Sequence, residues 1–408
     1  MWLQKLIYLL QTAKPAFPDD CKWRSSNDLK ETFREVLNMR LVLSFLLLCA
    51  GLGSKIAWAF PEMVRHNYTQ CTSCHVSPTG GALLNSYGRQ QAAELLSTWS
   101  SENEEQFLHS KVGKDLADKG LLFGGDVRWI QTYIKNDNRE KARSFPMMAN
   151  FIGAYQSDRF TAVVSVGEVH EQNKGGVHGN FKASEYYGLL NITDEVAVRA
   201  GRFLPAFGVN MPDHSLNSRY MIGFIPILRF DTVEASYLSE NWTIIAAAAR
   251  TPLSIDARYQ YQETVRSLNV SYSLFEGTRV GTSYWRGYGP DRDRTIAAAH
   301  AIIGFSKKLY NITELAMQYE DSQDGFYGYS KWGYEVFKGL IPYVQLQLSQ
   351  DDVEVSNTKK IYGLGVQFFP RPHFELSGQW DRIHYDNTSS GQDNRWEDRG
   401  FFIAHYYF

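Results

Sequence analysis

From Leu121 to Phe408, apolar and polar residues alternate in short runs broken by turn-forming residues. Alternation at period two predicts strands with one apolar and one polar face. In Thr313–Tyr319 one face carries Thr313, Leu315, Met317 and Tyr319, and the other Glu314, Ala316 and Gln318. Tyr362–Phe368 sets Tyr362, Leu364, Val366 and Phe368 against Gly363, Gly365 and Gln367; Phe374–Trp380 sets Phe374, Leu376, Gly378 and Trp380 against Glu375, Ser377 and Gln379. Sixteen such strands are predicted, starting near residues 122, 144, 159, 181, 195, 231, 241, 265, 278, 295, 310, 325, 340, 358, 372 and 398.

The connections between them alternate in length. Short ones fall at Ser157-Asp158, Thr193-Asp194, Ser239-Glu240, Glu276-Gly277, Lys308-Leu309, Gly339 and Arg371-Pro372. Long ones are expected at 136–143, 173–180, 206–230, 251–262, 290–294, 321–325, 351–358 and 385–397. A soluble β-sandwich also alternates, but short turns at one end and long loops at the other are the pattern of an outer-membrane barrel. The expected fold is mainly β: a sixteen-strand antiparallel outer-membrane β-barrel over 121–408, facing lipid outside. The 206–230 loop is too apolar to lie in water (Phe207, Met221, Ile222, Phe224, Ile225, Ile227, Leu228) and is expected to fold into the lumen.

Upstream the texture differs. Ala92–Lys119 has helical spacing (Ala92, Ala93, Leu95, Leu96, Phe107, Leu108, Val112, Leu116), so one or two short helices are expected in a 60–120 segment. Before that, Met39-Arg40 leads into an apolar run from Leu41 to Leu52 and an Ala57-Trp58-Ala59 cleavage pattern, which reads as a secretory signal peptide. Residues 1–59 are therefore read as leader and signal peptide, with Met39 as the expected translation start and an authentic extension over 1–38 as the alternative.

Composition agrees with a barrel. The chain has 24 Tyr, 24 Phe, 10 Trp and 32 Gly against 13 Pro, and its mean hydropathy is negative because a polar lumen face offsets the lipid face. A net charge of −2 argues against a nucleic-acid partner.

Two of the four cysteines, Cys21 and Cys49, lie in the leader and signal region; the other two stand in Cys71-Thr72-Ser73-Cys74-His75. A pair so close could form a small disulfide or half a metal site, but Cys-x-x-Cys-His is the attachment motif of one covalent haem c. Both thiols bond the vinyl groups, and His75 is the proximal iron ligand. For the second axial position, His214 is the first candidate, followed by His66; Met63 or Met211 would raise the potential, and His300 is expected to line the lumen. Arg65 and Arg89 flank the motif as candidate propionate partners, with solvated charge as the alternative. Tyr87, with Leu83 and Leu84, is expected to pack on the haem or the barrel wall.

Cys71–His75 is followed by Leu84-Asn85-Ser86-Tyr87-Gly88-Arg89. With the barrel pattern and the terminal Phe408, this resembles the fused monohaem cytochrome–porins of bacterial outer membranes, whose best-known members are iron oxidases. Tyr87 stands where that family usually has Phe, and Val76–Gly81 replaces the Gln-His-Phe-Pro-like run of its iron-oxidising members, as in a sister branch. The resemblance implies electron transfer across the outer membrane, with an external donor or acceptor (ferrous iron in the best-known case) and a soluble periplasmic cytochrome or other carrier. The competing reading is a passive porin whose haem is structural or senses a small ligand.

Overall fold

The computed structural model describes residues 61–81, 83–100, 115–169, 182–211, 216, 219, 222–224, 228–252, 262–290, 292–320, 323–355, 357–387 and 395–408. The leader and signal peptide expected over 1–59 lie outside the described residues, as does His214.

Sixteen strands follow one another: β1 (Leu121–Asn136), β2 (Arg139–Gln156), β3 (Phe160–Val169), β4 (Lys182–Asn191), β5 (Val196–Phe203), β6 (Phe230–Leu238), β7 (Trp242–Arg250), β8 (Thr264–Phe275), β9 (Thr278–Tyr288), β10 (Asp293–Gly304), β11 (Leu309–Glu320), β12 (Gln323–Tyr334), β13 (Leu340–Gln350), β14 (Asn357–Phe368), β15 (Phe374–Asn387) and β16 (Arg395–Tyr407). Each pairs with its sequence neighbours, and β1 pairs antiparallel with β16, so the sheet closes into a barrel without a free edge.

The alternation has the expected polarity. Leu315, Met317 and Tyr319 are exposed on β11 while Glu314, Ala316 and Gln318 are buried; Leu364 on β14 is 64% exposed and Gln345 on the facing inner side is 1% exposed. Val233, Trp129, Phe151 and Leu346 join the outer apolar surface, and Lys331, Glu234 and Asp381 point inward. An apolar outside around a polar inside is the inverse of a soluble barrel and suits a lipid exterior.

One expected loop is absent. β1 ends at Asn136 and β2 begins at Arg139, so the long 136–143 connection is a two-residue turn. The Asn136 side-chain oxygen accepts from the backbone N–H groups of Asn138 and Arg139, both at 3.0 Å. This turn lets Lys135 pair across with Glu140 and carries the strands outward through residues whose polarity imitates a loop. The 321–325 connection shortens in the same way, because Glu320 pairs with Gln323.

The 61–100 segment lies against the short-turn end of the wall and inside it. A 3₁₀ turn (Pro61–His66), a second (Cys71–Ser73), a short helix α1 (Ser86–Gln91) and a π-helical turn (Ala92–Leu96) run in succession. The helix thus starts before the periodic stretch at Ala92 that predicts it. Met63, Val64, Cys74 and Leu96 form an apolar cluster with the inward faces of Tyr310, Ile312, Tyr329 and Ile341. From the opposite end the described residues of the 204–229 connection also turn inward, as its apolar content predicts. Phe207, Ile222, Phe224 and Leu228 pack on Trp285, Ile296 and Tyr327 of the wall.

Candidate functional site

The Cys71–His75 turn is helical. The N–H groups of Cys74 (3.2 Å) and His75 (2.9 Å) both donate to the Cys71 carbonyl, which brings Cys71 and His75, four residues apart, to one face. Two contacts hold this turn from behind. Asn85 donates its backbone N–H to the Cys74 carbonyl at 2.9 Å and its side-chain amide to the Ser73 carbonyl at 3.2 Å. Its side-chain oxygen accepts from the Gly88 N–H at 2.8 Å and so caps α1. Gly88 is where α1 crosses the turn: a Cβ there would stand 2.3 Å from the Cys74 carbonyl oxygen. Asn85 and Gly88 of the Leu84–Arg89 motif therefore build the turn's rear wall.

The residues after His75 fold back over it. Val76 donates to the Leu83 carbonyl and Gly80 to the Ser77 carbonyl. Gly80 and Gly81 have φ of +74° and +79°, and a Cβ at Gly80 would press on the Cys71 sulfur at 3.2 Å. The His75 Nδ1 lies 2.9 Å from the Gly81 carbonyl oxygen. Donation from Nδ1–H to that oxygen fixes the tautomer and leaves Nε2 as a lone-pair donor. Burial holds the His75 imidazole down at about 4, so it is neutral at ordinary pH.

Cys71 and Cys74 are both free thiols. Burial pushes Cys71 up against the opposing pull of Arg279, and pushes Cys74 up to about 11 with a further contribution from Cys71. Cys71 is walled by many atoms yet keeps open surface, because it faces a cavity. Raised thiols are the reverse of a reactive dithiol, which needs a lowered pKa.

That cavity, of about 930 Å³ including the part open to solvent, has three walls. The N-terminal segment supplies Tyr68, Cys71, His75 and Gly80; the inward loop supplies Ala206 to Asn210; the barrel supplies Thr243, Asn269, Ser271, Arg279 and His300. The two inserts meet at its rim, where Asn210 donates to the Thr79 carbonyl at 3.0 Å. Cys74 lies behind the cavity in the apolar cluster, which shares Val64 and Val209 with it.

The other sequence candidates fall elsewhere. Arg65 is buried in an ion pair with Glu335 and donates to the Lys307 carbonyl at 3.1 Å. Arg89 donates to the carbonyls of Leu84 (3.1 Å) and Phe123, and burial lowers it to about 10. Tyr87 is exposed and meets Tyr68 edge-on at 5.6 Å. His66 sits beside Arg65, and burial holds it down at about 4, with Arg65 adding to the effect. None of these four lines the cavity, whereas Arg279 does. Arg279 donates to Ser271 (3.0 Å) and to the Thr69 carbonyl, and has no acidic partner among the described residues. Its sequence signal was a cation on the inward-facing set of β9, two residues before Gly281. Among the described residues no three His, Cys, Asp or Glu side chains gather into a metal-binding cluster.

With this geometry in view, the chain is similar to solved outer-membrane barrels. An anion-selective porin from Comamonas acidovorans superposes with a TM-score of 0.55 at 12% identity, covering 71% of this chain and 99% of that one. OprB of Pseudomonas putida, in its high-pH structure, gives 0.56 at 8% identity, covering 73% and 96%. The outer membrane channel DcaP of Acinetobacter baumannii gives 0.52 at 12%, covering 71% and 97%. The fold is a porin fold. No protein-family model and no curated protein sequence matches the chain. At these identities the likeness is one of fold alone.

Proposed function

We propose that this porin-fold barrel resides in the bacterial outer membrane, carries one covalent haem c between its two inserts, and passes electrons across that membrane. The observation that carries the proposal is the opening of Cys71 and His75, from a Cys-x-x-Cys-His turn, onto one cavity inside the barrel. Cys71 offers its thiol directly; Cys74 joins by turning out of the adjoining apolar cluster. His75 presents Nε2 while Gly81 holds Nδ1. Arg279, which lines the cavity with no acidic partner among the described residues, is the cation that would meet the carboxylates of a tetrapyrrole, whereas Arg65 and Arg89 lie outside that lining. The haem supplies a one-electron couple, and the protein supplies position and partial exclusion of water. The external partner is an electron donor or acceptor, with ferrous iron the first candidate from the family resemblance, and the inner partner is a soluble periplasmic cytochrome or comparable carrier.

The second reading, a passive porin with a structural or ligand-sensing haem, draws support from the fold, since the similar structures are channels. The inserts favour the first reading, because both occupy the lumen through which solutes would pass.

The test is a pyridine haemochrome assay on the exported, detergent-purified protein, followed by reduction with ferrous iron and single-channel conductance. One covalent haem per chain, lost in Cys71→Ala/Cys74→Ala, with fast reduction and negligible conductance, is expected. Covalent haem with open-channel conductance and no reduction would establish the second reading, and protein without covalent haem would sink both.

A further inference from the structure

We infer that His300, on the barrel wall, is the second axial ligand of the haem; this rests on the haem reading above. His300 belongs to the inward set of β10 and lines the cavity that Cys71 and His75 open onto. It is 7% exposed, and its Nδ1 is buried with no hydrogen-bond partner among the described residues. Leaving a buried polar ring atom unpartnered costs about 1–3 kcal/mol; the His66 Nε2 is likewise buried without a partner among the described residues, but of these two rings only His300 lines the cavity.

The wall is shaped around this ring. Opposite His300 in the β9–β10 register stands Gly281, and a Cβ there would lie 2.5 Å from the His300 Nε2. The missing side chain makes room for the imidazole. Neutral imidazole is a common iron ligand, so the wall offers a second such donor to the cavity that holds the first. The sequence candidates are placed less well: His66 is outside the cavity, at the short-turn floor beside Arg65, and His214 lies outside the described residues.

The experiment compares full-length holoprotein with His300→Ala, His300→Met and His66→Ala variants by optical and electron paramagnetic resonance spectroscopy of the ferric state. A low-spin wild-type spectrum is expected, retained in H66A. In H300A it converts to high-spin and returns on adding imidazole, and in H300M a thioether-to-iron charge-transfer band replaces it. An H300A spectrum identical to wild type overturns the assignment while leaving covalent haem intact. Wild-type protein lacking covalent haem overturns the haem reading itself, so the two failures are distinct. Should the variants fail to insert, near-infrared magnetic circular dichroism of the wild type decides: any ligand pair other than two imidazoles overturns the proposal.

Discussion

The two segments inside this barrel enter from opposite ends and differ in how buried charge and aromatic packing share the work of fastening them. The N-terminal insert adds buried charge pairs to its apolar cluster. Arg65 pairs with Glu335, Lys331 donates to Glu62 at 2.9 Å, and Arg199, itself bound to Glu234 at 2.7 Å, donates to Ser77 at 2.8 Å. The described residues of the 204–229 loop also have polar ties, among them the Val209 N–H donating to Glu314 at 2.6 Å, and add to them an aromatic cluster. Phe207 lies against Phe224 at 4.9 Å, and Phe224 and Phe230 lie edge-on to Trp285 at 4.7 and 5.4 Å. Ion pairs are directional and lose most of their value when one partner goes, whereas an aromatic cluster is stabilised by area and yields gradually. The first segment should therefore detach from the wall more readily than the second when a single contact is removed.

Removing one charge should expose that difference most sharply. Arg65→Ala leaves Glu335 buried without its cation, a cost of roughly 3–5 kcal/mol. Limited proteolysis should then cut within 61–100 while the barrel keeps its heat-modifiable migration on gels; a barrel that unfolds with the segment would refute separability. Trp285→Ala, of similar gross cost (about 3–5 kcal/mol for a large core truncation), should instead lower the thermal unfolding of the barrel itself, followed by circular dichroism. Unchanged barrel melting would mean the loop is the looser part. A smaller effect comes from Gly88→Ala, where overpacking against the Cys74 backbone should cost about 1–3 kcal/mol and reduce haem incorporation without altering barrel melting.

The least effect is one of pH. His66 is held at about 4 against an ordinary 6.5 by burial, with Arg65 next in importance and Glu335 opposing. A depressed histidine contributes its stability in full above pH 6.5, and that contribution fades as pH falls towards 4. Hydrogen exchange of haem-free protein should therefore quicken in 61–70 across that window while β12 and β13 stay protected. Uniform quickening would assign the acid sensitivity to the wall.

Much of the barrel was legible because period two is a local signal: β9 and β13 begin at Thr278 and Leu340, where the alternation places them. The β1–β2 turn was misread because Asn136 to Lys141 has loop composition, and only its Asx hydrogen bonds reveal a hairpin. Cys71 and His75 were legible as a motif, but what surrounds them was not. Arg65 and Arg89 look like natural haem neighbours by proximity in sequence, yet Arg279, some two hundred residues away, reaches the cavity. The closure of β1 on β16 and the inward path of residues 61–100 decide this, and neither leaves a trace in local spacing.

The seam between β1 and β16 joins strands more than two hundred and fifty residues apart, whereas each of the other pairings joins strands adjacent in sequence. Long-range closure of this kind is slow relative to hairpin formation. The seam also lies against the N-terminal insert: a Cβ at Gly124 of β1 would meet Leu83 at 2.5 Å and the Phe408 carbonyl oxygen at 2.7 Å. Cys71, by contrast, stays exposed to the cavity in the closed barrel. Leu83 finds its final neighbours only when both strands of the seam are in place, so the docking of the N-terminal insert is tied to the last strand pairing rather than to any earlier hairpin.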